Sequence, residues 1–271
     1  MSRLEAFVLH MAVTAMVLFV VYVLMRFWWY PYPLLRADGA WAAYALVAGG
    51  GIVLGPLLTL MVFKPGKKSL RWDLAAIGLM QAGVLAFTMH VLYTHRIQLV
   101  VFAHRSFYAL DAAHVARIGV KGQALLAAAH EEPLYVYVHL PHNKKALWAA
   151  EIRTLQGEPP IFLRGWRYRA YTKAESVHVA THGYPLAKVS HKNAVAAAAL
   201  KAFEIHHPHL AHYAFVPLHG IYTTVTWVLR RDNGRVVAVL PFNAGYGRLP
   251  ETQGGGASMW PRPAKRAAAG P

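Results

Sequence analysis

Long apolar stretches dominate the first third of the chain, and each is bounded by polar or charged residues. They cover residues 7–25, 40–63 and 74–93. A helix needs about 20 apolar residues to cross the hydrocarbon core of a bilayer, and each stretch meets that length. The pattern therefore predicts three transmembrane helices within a membrane domain at residues 1–95.

A cleavable signal peptide is the alternative interpretation of the first stretch. Its apolar region is too long for a signal peptide, and no small-residue cleavage site follows it. Four aromatic residues follow instead, namely Trp28, Trp29, Tyr30 and Tyr32. Aromatic rings of this kind are typical of the membrane–water interface, which favours a retained transmembrane helix.

The pattern changes after residue 95, where short strand-like runs alternate with alanine-rich segments. Strands are predicted at residues 98–103, 134–140, 221–230 and 235–241, and helices at 112–129, 143–155 and 191–205. Asn233 and Gly234 lie between the last two strands and predict a β-hairpin, because both residue types tolerate positive φ. The predicted fold class is three transmembrane α-helices followed by an α+β domain at residues 96–250. Residues 251–271, rich in Gly, Ala and Pro, are predicted to be a disordered tail.

Composition supports a membrane protein. Hydrophobic residues make up 56% of the chain and charged residues 15%, against about 45–50% and 25% in an average soluble domain. The chain has no cysteine, which excludes disulfides, thiolate nucleophiles and Cys-ligated zinc or iron–sulfur sites.

The positions of the basic residues predict the orientation. The loop between the second and third apolar stretches holds four of them, Lys64, Lys67, Lys68 and Arg71. Basic loops stay on the cytoplasmic side, so this loop and the N-terminus are predicted to be cytoplasmic. The α+β domain is then outside, which is the periplasm in a bacterium with two membranes.

The net charge of +16 lies mostly on the outer domain. Residues 1–93 carry +4 and residues 94–271 carry +12. Under the predicted topology this charge lies away from nucleic acid. It is interpreted in three ways: attraction to anionic lipid headgroups of the bilayer, contact with an acidic partner, or a solvated face without a ligand.

Small residues mark candidate helix-packing positions in two of the spans. Gly51 and Gly55 share a face of the second span, and Pro56 beside them is expected to kink that helix. Gly78 and Ala82 repeat the small-xxx-small spacing in the third span. Such faces let another helix approach closely, either one of the protein's own or that of a partner.

Candidate chemistry is sparse. His206, His207, His209 and His212 are close in sequence, but Pro208 interrupts a helix there and no carboxylate follows Glu204 nearby to complete a metal site. No catalytic motif is visible, and no charged side chain lies within the spans, where an ion pathway would need one. We therefore predict no catalytic residue, no cofactor and no metal, and a protein that is not an enzyme.

Two blocks of sequence carry a family resemblance. Residues 55–74 read GPLLTLMVFKPGKKSLRWDL, and residues 96–107 read RIQLVVFAHRSF. Both resemble the TfpX/TfpZ family of type IV pilin accessory proteins. The resemblance is specific over residues 55–107, and the chain departs from the family pattern at Ile97, where Pro is expected, and at His104, where Asp is expected.

This resemblance implies a non-enzymatic inner-membrane protein that assists a cognate major pilin. Type IV pilins have an apolar N-terminal helix in the bilayer and a globular head in the periplasm, and a protein with three spans and a periplasmic domain can touch both. The alternative function is a membrane-anchored sensor or enzyme-like module that binds an anionic small molecule in the periplasm.

Overall fold

Three long helices and a seven-stranded sheet make up the structure, a computed structural model that describes residues 2–37, 39–129, 132–141, 143–184 and 194–244. Helix α1 is Arg3–Leu24 and continues as a π-helical turn, Met25–Trp29. A short helix α2, Leu34–Ala37, precedes α3, Ala40–Val62, and α4, Leu70–Thr94. By length and composition, α1, α3 and α4 can each cross a membrane, which confirms the three predicted apolar helices.

The outward-facing surfaces of these three helices are largely apolar. Large apolar side chains point outward along all three, such as Leu46, Met61 and Leu79, each more than 70% exposed. Soluble monomers rarely expose a continuous apolar surface of this size to water. The helices are therefore suited to a bilayer, and α3 lies between the other two, packing against both α1 and α4.

The connection between α1 and α3 is part of the domain that follows the helices. Leu34 is fully buried in a core that includes Ile97 and Trp227. Tyr30 donates a hydrogen bond from its hydroxyl to the carbonyl of Leu92 at 2.8 Å, near the end of α4. The α1–α3 connection and the sheet thus lie at one end of the helices, and the basic loop before α4 lies at the other.

The rest of the described chain is built around one mixed sheet. Its strands are β1 Leu99–Ala103, β2 Ser106–Leu110, β3 Leu134–Val138, β4 Tyr168–Ala170, β5 Tyr213–His219, β6 Thr224–Arg230 and β7 Val236–Leu240. Their order across the sheet is β4-β3-β1-β2-β5-β6-β7. The β1–β3 and β2–β5 pairs are parallel and the other pairs are antiparallel.

Helices cover the sheet, so its strands bury side chains on both faces. They are α5 Ala112–Val115, α6 Gly119–Ala127, α7 Lys144–Leu155, α8 Lys173–His182 and α9 Ala194–His206. In β1, Val100 packs into the core with α8 and Leu34, whereas Leu99 and Val101 pack into a second core with α5 and α7. Helix α9 covers β5 to β7 in a third core. The mixed helix-and-strand domain agrees with the predicted α+β class.

Several predicted elements differ from the structure in detail. The predicted helix at 112–129 is two helices, because the chain turns at Gly119, whose φ is +78°. The predicted hairpin is confirmed: β6 pairs antiparallel with β7, and Gly234 has a φ of +67°. Strands β2, β4 and β5 and helix α8 were not predicted. The predicted tail at 251–271 lies outside the described residues.

Candidate functional site

The small residues of α3 pack against the protein's own helices. Gly51 faces Thr14 and Leu18 of α1, with room for one further carbon in ordinary van der Waals contact at 3.9 Å. Gly55 is buried against the side chain of Gln81 of α4, and any Cβ at this position would overlap that carboxamide. Pro56 is buried beside it, and α3 continues through it to Val62. The second-span face therefore holds the three helices together.

The small residues of α4 are arranged differently. Gly78 and Ala82 are both exposed, and a Cβ at Gly78 would meet nothing within 4 Å. The two predicted small-residue faces thus have separate surroundings. The α3 face is used inside the three-helix unit, and the α4 face is open.

A polar cluster joins one residue from each of the three long helices. His10 of α1 lies with Nδ1 2.6 Å from Thr59 Oγ1 and with Nε2 2.7 Å from Gln81 Oε1. An amide oxygen only accepts, so His10 Nε2–H donates to Gln81, and in a neutral imidazole Nδ1 then accepts from the Thr59 hydroxyl. Gln81 Nε2 donates in turn to the carbonyl of Gly51 at 3.3 Å. His10, Thr59 and Gln81 thereby satisfy one another within an otherwise apolar helix interface.

Sequence reasoning missed this cluster. The predicted spans contain no charged side chain, and His10 in the first span was not a candidate residue. A usable signal was present, since polar side chains are rare in apolar helices and tend to meet one another across a helix interface. The sequence gives no register between helices, however, so the pairing of His10 with Gln81 emerges only from the fold.

A groove runs over this cluster between α1, α3 and α4. Its cavity is about 490 Å³, within the range of about 300–1,000 Å³ typical of ligand sites. The lining is almost wholly apolar or small, and from α4 it includes Gly78, Ala82 and Leu85, with Gly50 and Gly51 from α3. His10 and Gln81 supply the polar atoms. The arrangement can receive an apolar ligand or a helix.

The end of α4 is fastened to the sheet domain by a buried carboxylate. Asp111 accepts hydrogen bonds at 3.0 Å from His95 Nδ1, just past α4, and at 2.6 Å from His114 Nδ1 of α5. Burial opposes its ionisation, but the hydrogen bonds from His114 and His95 prevail and lower the pKa of Asp111 to about 2. Asp111 also caps α5 by accepting from the backbone N–H of His114. This carboxylate links three segments at the base of the sheet domain.

The basic loop is organised around one acid. Lys67 Nζ lies 2.6 Å from Asp73 Oδ2, and Ser69 Oγ donates to the same oxygen at 3.2 Å. Helix α4 begins at Leu70, so Arg71 lies in its first turn and its guanidinium is 5.8 Å from the Trp72 ring centroid. Lys64 and Lys68 are exposed. Lys64 and Lys68 are therefore the basic side chains most open to an anionic surface at this end of the helices.

The histidines near the end of α9 make separate contacts and do not converge on one point. The His207 ring stacks on Phe203 at 4.3 Å, and its Nδ1 lies 3.1 Å from the Tyr213 hydroxyl. His206 Nδ1 lies 3.1 Å from the carbonyl of Ala202, within its own helix. Among the residues that the structure describes, no group of three or more His, Asp or Glu side chains is placed to hold a metal ion.

Comparison of the chain with family models, with curated proteins and with solved structures gave no match.

Proposed function

We propose that this protein is an inner-membrane accessory factor for type IV pilin, and that the groove between α1, α3 and α4 receives the apolar N-terminal helix of the pilin. The observation that carries the proposal is the open small-residue face of α4, at Gly78 and Ala82, beside an apolar cavity of about 490 Å³. The sequence resemblance over residues 55–107 covers this same part of the chain.

A helix is the occupant best suited to such a face. Lipid tails are as apolar as the side chains of a helix, so helices associate in a bilayer chiefly through close van der Waals contact. Residues without a large side chain permit that contact, and Gly78, Ala82 and Gly50 all line the groove. A partner helix with its own small or flat apolar face could therefore approach the backbone of α4.

The connection between the helices and the sheet domain supports a partner with two parts. Leu34, from the connection between α1 and α3, lies in the core of the sheet domain, and Asp111 holds the end of α4 through His95. The groove and the sheet domain are thus held in a fixed relation. A pilin whose helix lies in the groove would present its globular head to the sheet domain.

The proposed orientation places the sheet domain in the periplasm, where the pilin head waits before assembly. It rests on the four basic residues at the other end of the helices, which favour the cytoplasmic side. It is supported by the fold in that the basic loop precedes α4 and the sheet follows α4, so the two lie at opposite ends of one helix.

Crosslinking tests the proposal with a matched pair of variants. Gly78→Leu fills the groove, whereas Gly83→Leu makes the same change on the same helix at a glycine that also has open surroundings but does not line the groove. A photo-crosslinking amino acid at Met80, on the groove wall, would report contact with the pilin in the native membrane.

We expect Gly78→Leu to leave the abundance of the protein unchanged, to reduce its crosslinks to the pilin at least fivefold and to lower the number of pili. Gly83→Leu should leave all three near wild type. Equal crosslinking in both variants would contradict the groove as the pilin site, and a wild-type chain that forms no pilin crosslink would contradict the proposed function.

A further inference from the structure

A second cavity lies where the transmembrane helices meet the sheet domain. Its volume is about 470 Å³. Two arginines line it, Arg26 from the π-helical turn after α1 and Arg36 from α2. Val237, Ala238 and Val239 of β7 form another wall. The cavity is separate from the groove over His10 and from the pilin contact proposed above.

The charge in this cavity is not neutralised within the described chain. Across residues 2–37, 39–129, 132–141, 143–184 and 194–244, neither Arg26 nor Arg36 forms an ion pair. The Arg26 guanidinium instead lies 5.5 Å from the Phe27 ring centroid and 5.9 Å from that of Tyr32. Both guanidiniums carry a positive charge at the same cavity, so an anion there would be attracted by each of them.

The aromatic residues around this cavity are of the kind found in the headgroup region of a bilayer. The cavity is lined by residues at the end of α1 and the start of α3, where the Tyr22 and Trp41 ring centroids lie 6.0 Å apart. Tyr and Trp concentrate at the membrane–water interface. Nearby Phe27 and Trp28 are 66% and 72% exposed, as expected of side chains in contact with lipid.

We propose that this cavity binds the phosphate group of an anionic phospholipid, held by Arg26 and Arg36. The guanidinium presents its donors in a planar fork that matches a phosphate oxygen pair, and it is less strongly hydrated than an ammonium group. A lipid fits better than free phosphate because Leu35, Trp41 and the valines of β7 add apolar walls beside the two arginines, where an acyl chain could lie.

The lipid would have a structural consequence for the sheet. Strand β7 is the last strand in the described sheet, so one side of its backbone has no neighbouring strand there. A headgroup between β7 and the arginines would hold this edge against the membrane surface. The inference rests on α1 and α3 spanning a bilayer and is independent of which partner fills the groove.

Lipid titration of the purified full-length chain tests the proposal. The protein in a mild detergent is titrated with phosphatidylglycerol, with phosphatidylcholine of the same acyl chains, and with inorganic phosphate, and bound lipid is counted by native mass spectrometry. Arg26→Gln with Arg36→Gln removes both guanidiniums. Lys64→Gln with Lys68→Gln removes the same charge from the basic loop at the other end of the helices.

We expect one tightly retained phosphatidylglycerol, at least tenfold weaker binding in the arginine variant, and less than a twofold change in the lysine variant. Arg26→Lys with Arg36→Lys, which keeps the charge, should retain an intermediate affinity and show that the site still folds. Equal losses in the arginine and lysine variants would overturn the proposal in favour of diffuse attraction to a basic surface. Inorganic phosphate bound as tightly as the lipid, or phosphatidylcholine bound as tightly as phosphatidylglycerol, would overturn the assignment to an anionic lipid.

Discussion

Gln81 of α4 lies against the bare backbone of Gly55 of α3, in the space that a side chain at Gly55 would need. The same carboxamide receives the His10 Nε2–H and donates to the Gly51 carbonyl. One glycine therefore permits a three-helix hydrogen-bond network inside an otherwise apolar unit. The close contact between Gln81 and Gly55 places the carboxamide where it can form both hydrogen bonds.

Gly55→Leu is expected to lower the amount of protein in the membrane several-fold. Leucine would displace Gln81 and leave the His10 ring without its acceptor, and an unpaired buried polar group costs about 1–3 kcal/mol. Val53→Leu is the control, because Val53 is 52% exposed on α3. Quantitative immunoblotting of membrane fractions measures the effect.

Gly51→Ala sharpens that comparison. A Cβ at Gly51 would meet Leu18 and Thr14 at 3.9 Å, which is ordinary contact, whereas a Cβ at Gly55 would overlap Gln81. Gly51→Ala should therefore be tolerated and Gly55→Ala should not. Equal abundance of the two alanine variants would contradict this expectation and show that the Gln81 carboxamide can move aside without loss of stability.

Replacement of His10 and Gln81 tests the polar cluster. His10→Leu and Gln81→Leu should each destabilise the three-helix unit, because each leaves a polar partner unsatisfied at the helix interface. The double variant should lose less than the sum, with a coupling of about 0.6 kcal/mol, the average found for hydrogen bonds between membrane helices, and of at most about 1.7 kcal/mol. Unfolding of the solubilised protein in a detergent titration measures it, and strictly additive losses would argue against the bond.

The apolar helices and the last hairpin could be predicted from sequence because each has a strong local signal. Twenty apolar residues in a row have few other structures available, and Asn233-Gly234 suits a turn with positive φ. The agreement is close: α3 is Ala40–Val62 against a prediction of 40–63. Gly55 was a candidate packing position in the sequence, but nothing in the sequence indicated that Gln81 would lie against it.

Two of the unpredicted strands, β5 and β2, contain or follow residues that usually argue against a strand or a hairpin turn. Strand β5 contains Pro217, which pairs with Thr226 of β6, and a proline usually argues against a strand inside a sheet. Strand β2 follows a two-residue turn of His104 and Arg105, with φ of +49° and +64°, where glycine or asparagine would be the usual signal. In both places the tertiary fold overrides the local preference.

That turn provides a stability prediction. An L-residue in the left-handed region costs about 1–2 kcal/mol, a cost that glycine avoids. We expect His104→Gly to be more stable than His104→Ala by about 1 kcal/mol, a difference of about 3 °C in the Tm of the sheet domain. Both variants remove the imidazole, so the comparison isolates the backbone. An alanine variant as stable as the glycine variant would refute positive φ at His104.

Asp111 should make the stability of the sheet domain depend on pH in acid. Hydrogen bonds from His114 and His95 lower the pKa of Asp111 to about 2, from 3.8. A lowered carboxyl pKa adds stability above the unfolded value, here about 2 kcal/mol, and that stability is lost as the pH falls from about 4 to 2. Asp111→Asn should lose this stability at pH 7 and show a flatter profile between pH 2 and 4.

Asp232→Asn is the control for that profile. Asp232 pairs with Arg230 on the surface, and both side chains are at least 50% exposed. The free energy of unfolding is measured by denaturant unfolding of the solubilised chain at several pH values. For Asp232→Asn its dependence on pH should be close to that of the wild type. An unchanged slope in Asp111→Asn would show that another carboxylate is responsible for the acid transition.

The orientation of the helices decides whether the sheet domain can meet a pilin head. Four basic residues, Lys64, Lys67, Lys68 and Arg71, lie at one end of the helices, and the sheet domain begins at Leu99 at the other. If the basic end is cytoplasmic, alkaline phosphatase joined after Gly220 is exported and active, and the same enzyme joined after Lys68 is inactive. A fusion after Arg36 provides an independent check, because the connection between α1 and α3 packs into the sheet domain through Leu34 and must share its side of the membrane. We therefore expect activity after Arg36 and after Gly220 alike.

Activity after Lys68 alone would place the sheet domain in the cytoplasm, where it could not meet a periplasmic pilin head, and would contradict the proposed partner.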